Sequence, residues 1–563
     1  MTTSPVSKFA ATLFSLLVSL LVLLSAIAAA QDLQIGSANT AFADPPVPRP
    51  HTTPCKVTLY KGFVFADFSP KSFTYTPPAT CPGPWAKVIL QANFSINQGR
   101  QFDRTANIWI GPTNVYFGTT AEPSHTVSRH WHVERDLTDY SSIFTVTQAG
   151  TVDLGNLVNQ TFTSVLHGNA DILFYPLEPN QVPPRTADQV IAFSSGPTGG
   201  TVALNTTTDL LEQTLTLPTN ITDVYFDVFA QSQSSDEFWY SCVPNDVAGQ
   251  LQSCGGTAFR ESEVTIDGTP AGVAPVYPWI YTGGIDPYLW RPIPGVQTMN
   301  FLPYRVNLTP FASLLDDGQP HTVALSVFNA DSYFSATASL LLYLDSNSTQ
   351  FTGAVTENTL AAPAPNVTEN IHTAQNGNIQ GTVNTRSGHN FQISGYINTA
   401  AGPVTTTVAQ NINFANLQYF KIQSAIYEQN INQTTTIHSV VTTHNAGGNF
   451  TDIVHDSWPL KLNITLLFNP DGSGTQATTI DQYYERDEET RHNGQATFFS
   501  LIQNRVTPTD TLDFDASFNI TGNTNQTSAQ NYFSSNSTGY CYSRSITANT
   551  GVLTSITNGQ GCN

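Results

Sequence analysis

The chain has 563 residues, room for three or four domains at roughly 100–200 residues each. Only 11% of residues are charged, against about 25% in an average protein, and the net charge is −20, which argues against nucleic acid as a partner. Just two Met are present, and Asn, Thr, Ser, Gly and Pro dominate, a composition that favours strands and loops over helices.

In chain order, residues 1–30 come first. Lys8 precedes an almost wholly apolar run from Phe9 to Ala30 that ends in Ala28-Ala29-Ala30, which reads as a cleaved secretory leader, with a signal anchor as the alternative. Residues 31–54, Pro-rich from Pro45 to Pro54, read as a linker. Beyond them apolar and polar residues alternate repeatedly, as in Val224 to Ala230, Val323 to Val327 and Phe391 to Ile397, the pattern of strands with one buried face. A second Pro-rich stretch, Ala361 to Pro365, separates a compact middle from a Thr- and Asn-rich region over 366–563, expected to form a further β-rich domain.

The middle holds an internal echo. Asp136-Leu137-Thr138 through Phe144 resembles Asn307-Leu308-Thr309 through Leu315, and each is followed by a strand, Thr151 to Leu154 and Thr322 to Leu325; both offsets are 171 residues. Two similar β-sandwiches are expected, over 55–200 and 201–350, with Thr138 and Thr309 capping short helical turns. A ligand would lie in the cleft between them.

The secretory reading has two supports. All six cysteines lie beyond the leader. Many connectivities are open to six cysteines; the sequence-local one pairs Cys55 with Cys81, Cys242 with Cys254 and Cys541 with Cys562. Glycosylation sequons stand at Asn93, Asn159, Asn205, Asn220, Asn307, Asn347, Asn366, Asn432, Asn449, Asn463, Asn519, Asn525 and Asn536.

Three clusters carry candidate chemistry. In Gly99-Arg100-Gln101-Phe102-Asp103-Arg104, a carboxylate between two guanidinium groups would stay ionised and could activate water, or could form a structural ion pair. In Asp236-Glu237-Phe238-Trp239-Tyr240, acids followed by aromatics suit sugar recognition, with a core role as the plain alternative. The stretch Tyr277 to Asp286, with Leu289-Trp290-Arg291-Pro292, is an irregular loop of the kind that carries function. Glu122 is either an acid in the same cleft or a strand end. His130 and His132 flank Trp131 without a third ligand, and no C-x-x-C occurs, so no metal or other cofactor is expected.

Taken together, Glu122-Pro123, the Gly-Arg-Gln-Phe-Asp-Arg run, Asp136-Leu137-Thr138-Asp139-Tyr140, Asp236 to Tyr240, Ile280-Tyr281-Thr282-Gly283-Gly284 and Leu308-Thr309-Pro310-Phe311 resemble the eukaryotic acidic peptide N-glycosidase A family, over about residues 55 to 345. More distantly, Phe102-Asp103-Arg104-Thr105-Ala106-Asn107 resembles the catalytic Asp context of the bacterial peptide N-glycosidase. The resemblance implies an all-β fold of two tandem jelly rolls with the site between them. It also implies hydrolysis of the amide that joins an N-glycan to Asn in a glycopeptide or glycoprotein.

On that basis Asp103 would activate water, Arg104 would stabilise the oxyanion or hold Asp103, and Glu237 would bind the first sugar and assist the leaving amine. Glu122, Asp236, Trp239, Tyr240, Tyr281, Asp286 and Trp290 would contact substrate. No acid matches a second essential Glu near Gly155 to Asn159, so Glu122 or Asp286 would replace it, and no Arg matches near Asp286 to Trp290. A glycoside hydrolase and a non-catalytic jelly-roll lectin are the rival readings. The mass of an incubated glycopeptide separates all three.

Overall fold

The computed structural model describes residues 33–562; the apolar leader predicted over 1–30 lies outside them. Eight strands build the first unit: β1 (Cys55–Phe65), β2 (Lys71–Tyr75), β3 (Trp85–Ile96), β4 (Thr105–Ile110), β5 (Thr113–Thr119), β6 (Arg129–Asp136), β7 (Gln148–Asp153) and β8 (Leu166–Pro176). They pair as two antiparallel sheets in the orders β1-β8-β3-β6 and β2-β7-β4-β5. Successive strands thus alternate between sheets except at the β4–β5 hairpin, which is jelly-roll topology.

After β9 (Gln189–Phe193) the pattern repeats with β10 (Val202–Leu204), β11 (Leu211–Leu215), β12 (Ile221–Gln233), β13 (Glu261–Ile266), β14 (Thr269–Pro275), β15 (Tyr304–Asn307), β16 (His321–Phe328) and β17 (Tyr333–Leu344). Their orders, β10-β17-β12-β15 and β11-β16-β13-β14, are those of the first roll with every label raised by nine, and β9 pairs with β17 beyond β10.

The echoed turns fasten alike in both rolls. Thr138 Oγ1 accepts from the N–H of Val88 on β3, and Thr309 Oγ1 from Val224 on β12, each at 3.1 Å. Neither threonine caps its helical turn, contrary to the sequence expectation. Instead the Asp136 and Asn307 side chains accept from the Thr138 and Thr309 N–H groups at 3.0 and 2.9 Å. An Asx turn and a strand-to-turn pin therefore satisfy the backbone that a cap would otherwise serve.

The remaining strands form one sheet: β18 (Gly353–Asn358), β19 (Asn366–Thr373), β20 (Ile379–Thr399), β21 (Gly402–Gln423), β22 (Ile426–Asn445), β23 (Gly448–Phe468), β24 (Gly474–His492), β25 (Gln495–Val506), β26 (Thr509–Phe514), β27 (Ile520–Asn536), β28 (Cys541–Asn549) and β29 (Val552–Asn558). The core of the first roll, with Trp85, Ile108, Tyr116, Trp131 and Phe174, also takes in Leu341 and Tyr343 of β17. The second roll shares its core with the long sheet: Phe226, Leu325 and Leu340 are continuous with Phe391, Phe414, Ile437, Leu460 and Ile480.

Residues 31–54 are not a free linker where the structure describes them. Ala41 and Ala43 are buried, Gly36 and Ser37 pair with Leu553, and Ala43 N–H bonds Gln530 at 2.6 Å. Val47 N–H and the Arg49 guanidinium both reach Glu134 on β6. Proline suits this strap because its partners need few of its own N–H groups.

All three sequence-local disulfides form. None of the thirteen sequon asparagines is buried. Among the described residues no helix is long and apolar enough to cross a membrane.

Candidate active site

Three carboxyl groups converge on one glycine pair. Asp103 ends the segment that leads into β4, where Arg104 and Thr120 exchange bonds of 2.9 and 2.8 Å. Glu122 follows β5, and its N–H is held by Thr282 Oγ1 at 3.0 Å, while that hydroxyl donates to Thr120 C=O at 2.7 Å. Glu237 stands on a short 3-10 turn, Ser234–Ser241, that closes β12.

The Gly283 N–H donates to the Asp103 carboxylate, and the Asp103 N–H donates to Glu122. A methyl on Gly283 would meet Asp103 Oδ1 at 2.6 Å and Glu122 Oε2 closer still; one on Gly284 would lie 3.3 Å from Glu237 Oε1. The two rolls thus contribute carboxyls to one turn, and at Gly283 a side chain would fill the space the Asp103 and Glu122 carboxyls occupy.

Burial pushes all three carboxyls up. For Asp103 the Gly283 N–H and the Arg104 charge oppose it. Glu122 rises to about 8 through burial and then the Asp103 charge, with Arg291 opposing. Glu237 rises to about 8 through burial and then Asp103. Asp103 is therefore pushed toward its protonated form as well, contrary to the expectation that flanking guanidinium groups would keep it ionised; three carboxyls in one buried site can pass protons among themselves, one serving as base beside acids.

Several expected contacts lie elsewhere. Asp236 is buried, bridged to Arg260 at 2.9 Å and capping the Asp331 and Ser332 N–H groups, so it is structural. Trp239 and Tyr240 do not line a sugar site: they are 0% and 1% exposed, and Trp239 packs toward Phe414 of β21. They follow Glu237 on a turn that kinks at Phe238. Trp239→Ala will therefore cost about 3–5 kcal/mol of stability, as for a core aromatic. Chemical denaturation checks this, and a loss below about 1 kcal/mol would contradict the core assignment.

Tyr281 is buried behind the carboxyls, its hydroxyl bonded to Ser232 C=O at 2.6 Å. Trp290 is buried too, and its Nε1–H donates to Gly284 C=O at 2.9 Å, bracing the glycine pair from within the loop. Asp286 faces Asp510 of β26 and does not replace a catalytic acid; burial and the Asp510 charge push it up to about 8. Arg104 forms no ion pair with Asp103 among the described residues: its Nη2 bonds Gln101 at 2.9 Å and its guanidinium lies over Phe68.

Arg291, which the sequence places in the irregular loop without a role, stands one residue after Trp290, 3.4 Å from Glu122 and bonded to Pro123 C=O at 2.7 Å. The Trp290-Arg291-Pro292 triplet closing the glycine loop was the available signal.

A cavity of about 860 Å³ runs between the rolls and the long sheet, but none of the three carboxyls lines it. Two ion pairs stand in its wall, Arg305 with Asp227 and Arg486 with Asp456. For a metal, the grouping with ligand chemistry among the described residues is His455, Glu485 and Asp487 on β23 and β24.

Fold and site define a tandem jelly-roll protein with a carboxyl cluster where its two rolls meet. The family model described as peptide N-acetyl-beta-D-glucosaminyl asparaginase amidase A matches residues 45–361, and the chain belongs to that family. It is 29% identical over 391 residues to the peptide-N4-(N-acetyl-beta-glucosaminyl)asparagine amidase A of Prunus dulcis, covering 66% of this chain and 67% of that one. Among solved structures, a recombinant peptide N-glycanase F aligns at TM-score 0.34 and 13% identity, over 52% of this chain and 96% of that one. PNGF-II aligns at TM-score 0.37 and 10% identity, over 52% and 66%.

Proposed function

We propose that Asp103, Glu122 and Glu237 together hydrolyse the amide joining an N-glycan to asparagine. Family membership gives the reaction class, an N-glycan amidase acting on glycopeptides or glycoproteins. The convergence of the three carboxyls on Gly283-Gly284 is the observation that carries the residue assignment.

Asp103, in its carboxylate form, takes a proton from water, and the water oxygen bonds the amide carbon. The Arg104 charge favours the carboxylate form of Asp103. Glu237, protonated, donates toward the departing nitrogen, so that the C–N bond breaks to an aspartyl peptide and a glycosylamine, which loses ammonia spontaneously. Glu122, protonated and steadied by Arg291, offers a hydrogen bond to the sugar or the carbonyl. With its leader, disulfides and exposed sequons, the chain works in the secretory pathway or outside the cell.

The test is the mass of a glycopeptide after incubation. Deglycosylated peptide about one dalton heavier than its asparagine form supports the reading; a residual sugar on Asn, or no change, overturns it.

The raised glutamates also set a pH dependence. Between their ordinary value of 4.5 and about 8 the folded protein keeps protons that the unfolded chain has released, so stability falls as pH rises across that window. Tm will drop between pH 5 and pH 8, and Glu122→Gln/Glu237→Gln will flatten the drop; an unchanged slope would show that these groups titrate normally.

A further inference from the structure

The long C-terminal sheet presents a row of buried amides to the two rolls. On β21 the inward positions run Phe414, Asn416, Gln418, Phe420, so two amides occupy the apolar phase of an alternating strand, and both are 0% exposed. Gln429 and Gln433 of β22, Gln482 of β24, and Gln526 and Gln530 of β27 are likewise buried. A buried amide is costly unless its donors and acceptor are met. Most of these meet theirs in the segments that carry the carboxyl cluster.

Gln482 bridges both ends of the glycine loop. Its Nε2–H donates to Pro278 C=O at 2.9 Å, and its Oε1 accepts from Val296 N–H at 2.9 Å. Gln526 Nε2–H holds the middle, donating to Arg291 C=O at 2.8 Å and also to Tyr288 C=O. The turn that bears Glu237 is held in the same way. Asn416 donates to Tyr240 C=O and Gln418 to Cys242 C=O, both at 2.8 Å, and Gln429 donates to Ser241 C=O at 3.1 Å. One rigid sheet therefore fixes the loop that supplies the Gly283 N–H and the turn that supplies Glu237. Asp103 comes from the other roll.

We propose that the C-terminal sheet is a working part of the active site, with Gln482 and Gln526 as positioning residues that hold the Gly283 N–H against Asp103. The inference rests on the carboxyl-cluster reading given above. A loop bonded at both ends and its middle has little freedom to drift. Displacement of a catalytic group by about 1 Å can cost on the order of 10²-fold in rate.

The control lies in the same sheet. Gln530 is at least as buried as Gln482 and makes three bonds to its two, but to Ala43, Asp44 and Asn504, away from the site. Kinetics of the full chain on a glycopeptide, with Gln482→Met, Gln526→Met and Gln530→Met, form the test. Gln482→Met and Gln526→Met should each lower kcat by at least about tenfold with KM little changed. They should also move the acidic limb of kcat/KM to higher pH, because Asp103 loses support from the Gly283 N–H. Gln530→Met should lower Tm while leaving kcat and that limb where they are.

If the first two variants keep wild-type kcat and pH limb, or Gln530→Met loses as much, the sheet is only a structural support and the proposal falls. Should Gln482→Met not fold, Gln526→Met decides alone. Asp103→Asn, run alongside, separates the two levels. If it retains activity, the carboxyl-cluster reading itself has failed; if it is inactive while Gln482→Met and Gln526→Met are normal, only the positioning role has.

Discussion

Asp103→Asn will reduce turnover by at least about 10²–10⁴-fold while leaving Tm close to that of the parent. The variant keeps the side-chain shape and an acceptor for the Gly283 N–H, so the loop stays in place. It loses the basicity needed to take a proton from water. Removing the Asp103 charge also removes one of the influences that raise Glu122 and Glu237, so both should titrate closer to their ordinary value. Product mass, kcat and carboxyl titration by NMR measure the three consequences. A variant that retains more than about a tenth of the parent rate cannot have lost the general base.

The tandem architecture was legible because duplication leaves a register. Leu137-Thr138 and Leu308-Thr309 sit at one topological position, between the sixth and seventh strands of each roll. The buried turn needs the same Thr hydroxyl and the same preceding Asx side chain in both copies. Asp103 and Glu237 each stand in a distinctive local run, whereas Glu122, marked only by the proline after it, could equally have been a strand end; the structure brings all three to Gly283-Gly284.

The division of labour among neighbours was not legible. Asp236 and Glu237 are adjacent acids, yet one is sealed against Arg260 and the other faces Gly284. Which of them turns inward depends on a 3-10 turn following a left-handed Ser234, φ 55°, and residue types alone do not encode that. Trp239 and Tyr240 misled for the same reason: an aromatic beside an acid reads as a sugar platform or as core according to a rotation of about 120° per residue.

The role of the C-terminal third was hidden by composition. Asn and Gln in Thr-rich strands resemble solvated residues, and only their phase betrays them. Asn416 and Gln418 fall in step with Phe414 and Phe420. Their partners are main-chain carbonyls more than 170 positions away in sequence, which no side-chain pattern announces.

Gly283→Ala will abolish most activity without unfolding the protein, and Gly284→Ala will be far milder. Neither glycine uses a left-handed backbone, so alanine brings no conformational penalty at either position. The difference lies in what a methyl group meets. At 283 it collides with the ends of the Asp103 and Glu122 side chains. Both can swing away at small cost in stability, but doing so takes the base off the Gly283 N–H and out of line with Glu237. A shift of about 1 Å is worth on the order of 10²-fold in kcat/KM. At 284 the methyl would lie at 3.2 Å from Ile280 and Tyr281 and 3.3 Å from Glu237, contacts that a few tenths of an ångström relieve. A loss within about tenfold is expected there. Tm and kcat/KM of the two variants measure this directly. If Gly283→Ala keeps more than half the parent rate, or the two variants lose equally, the reaction does not take place where these three carboxyls meet.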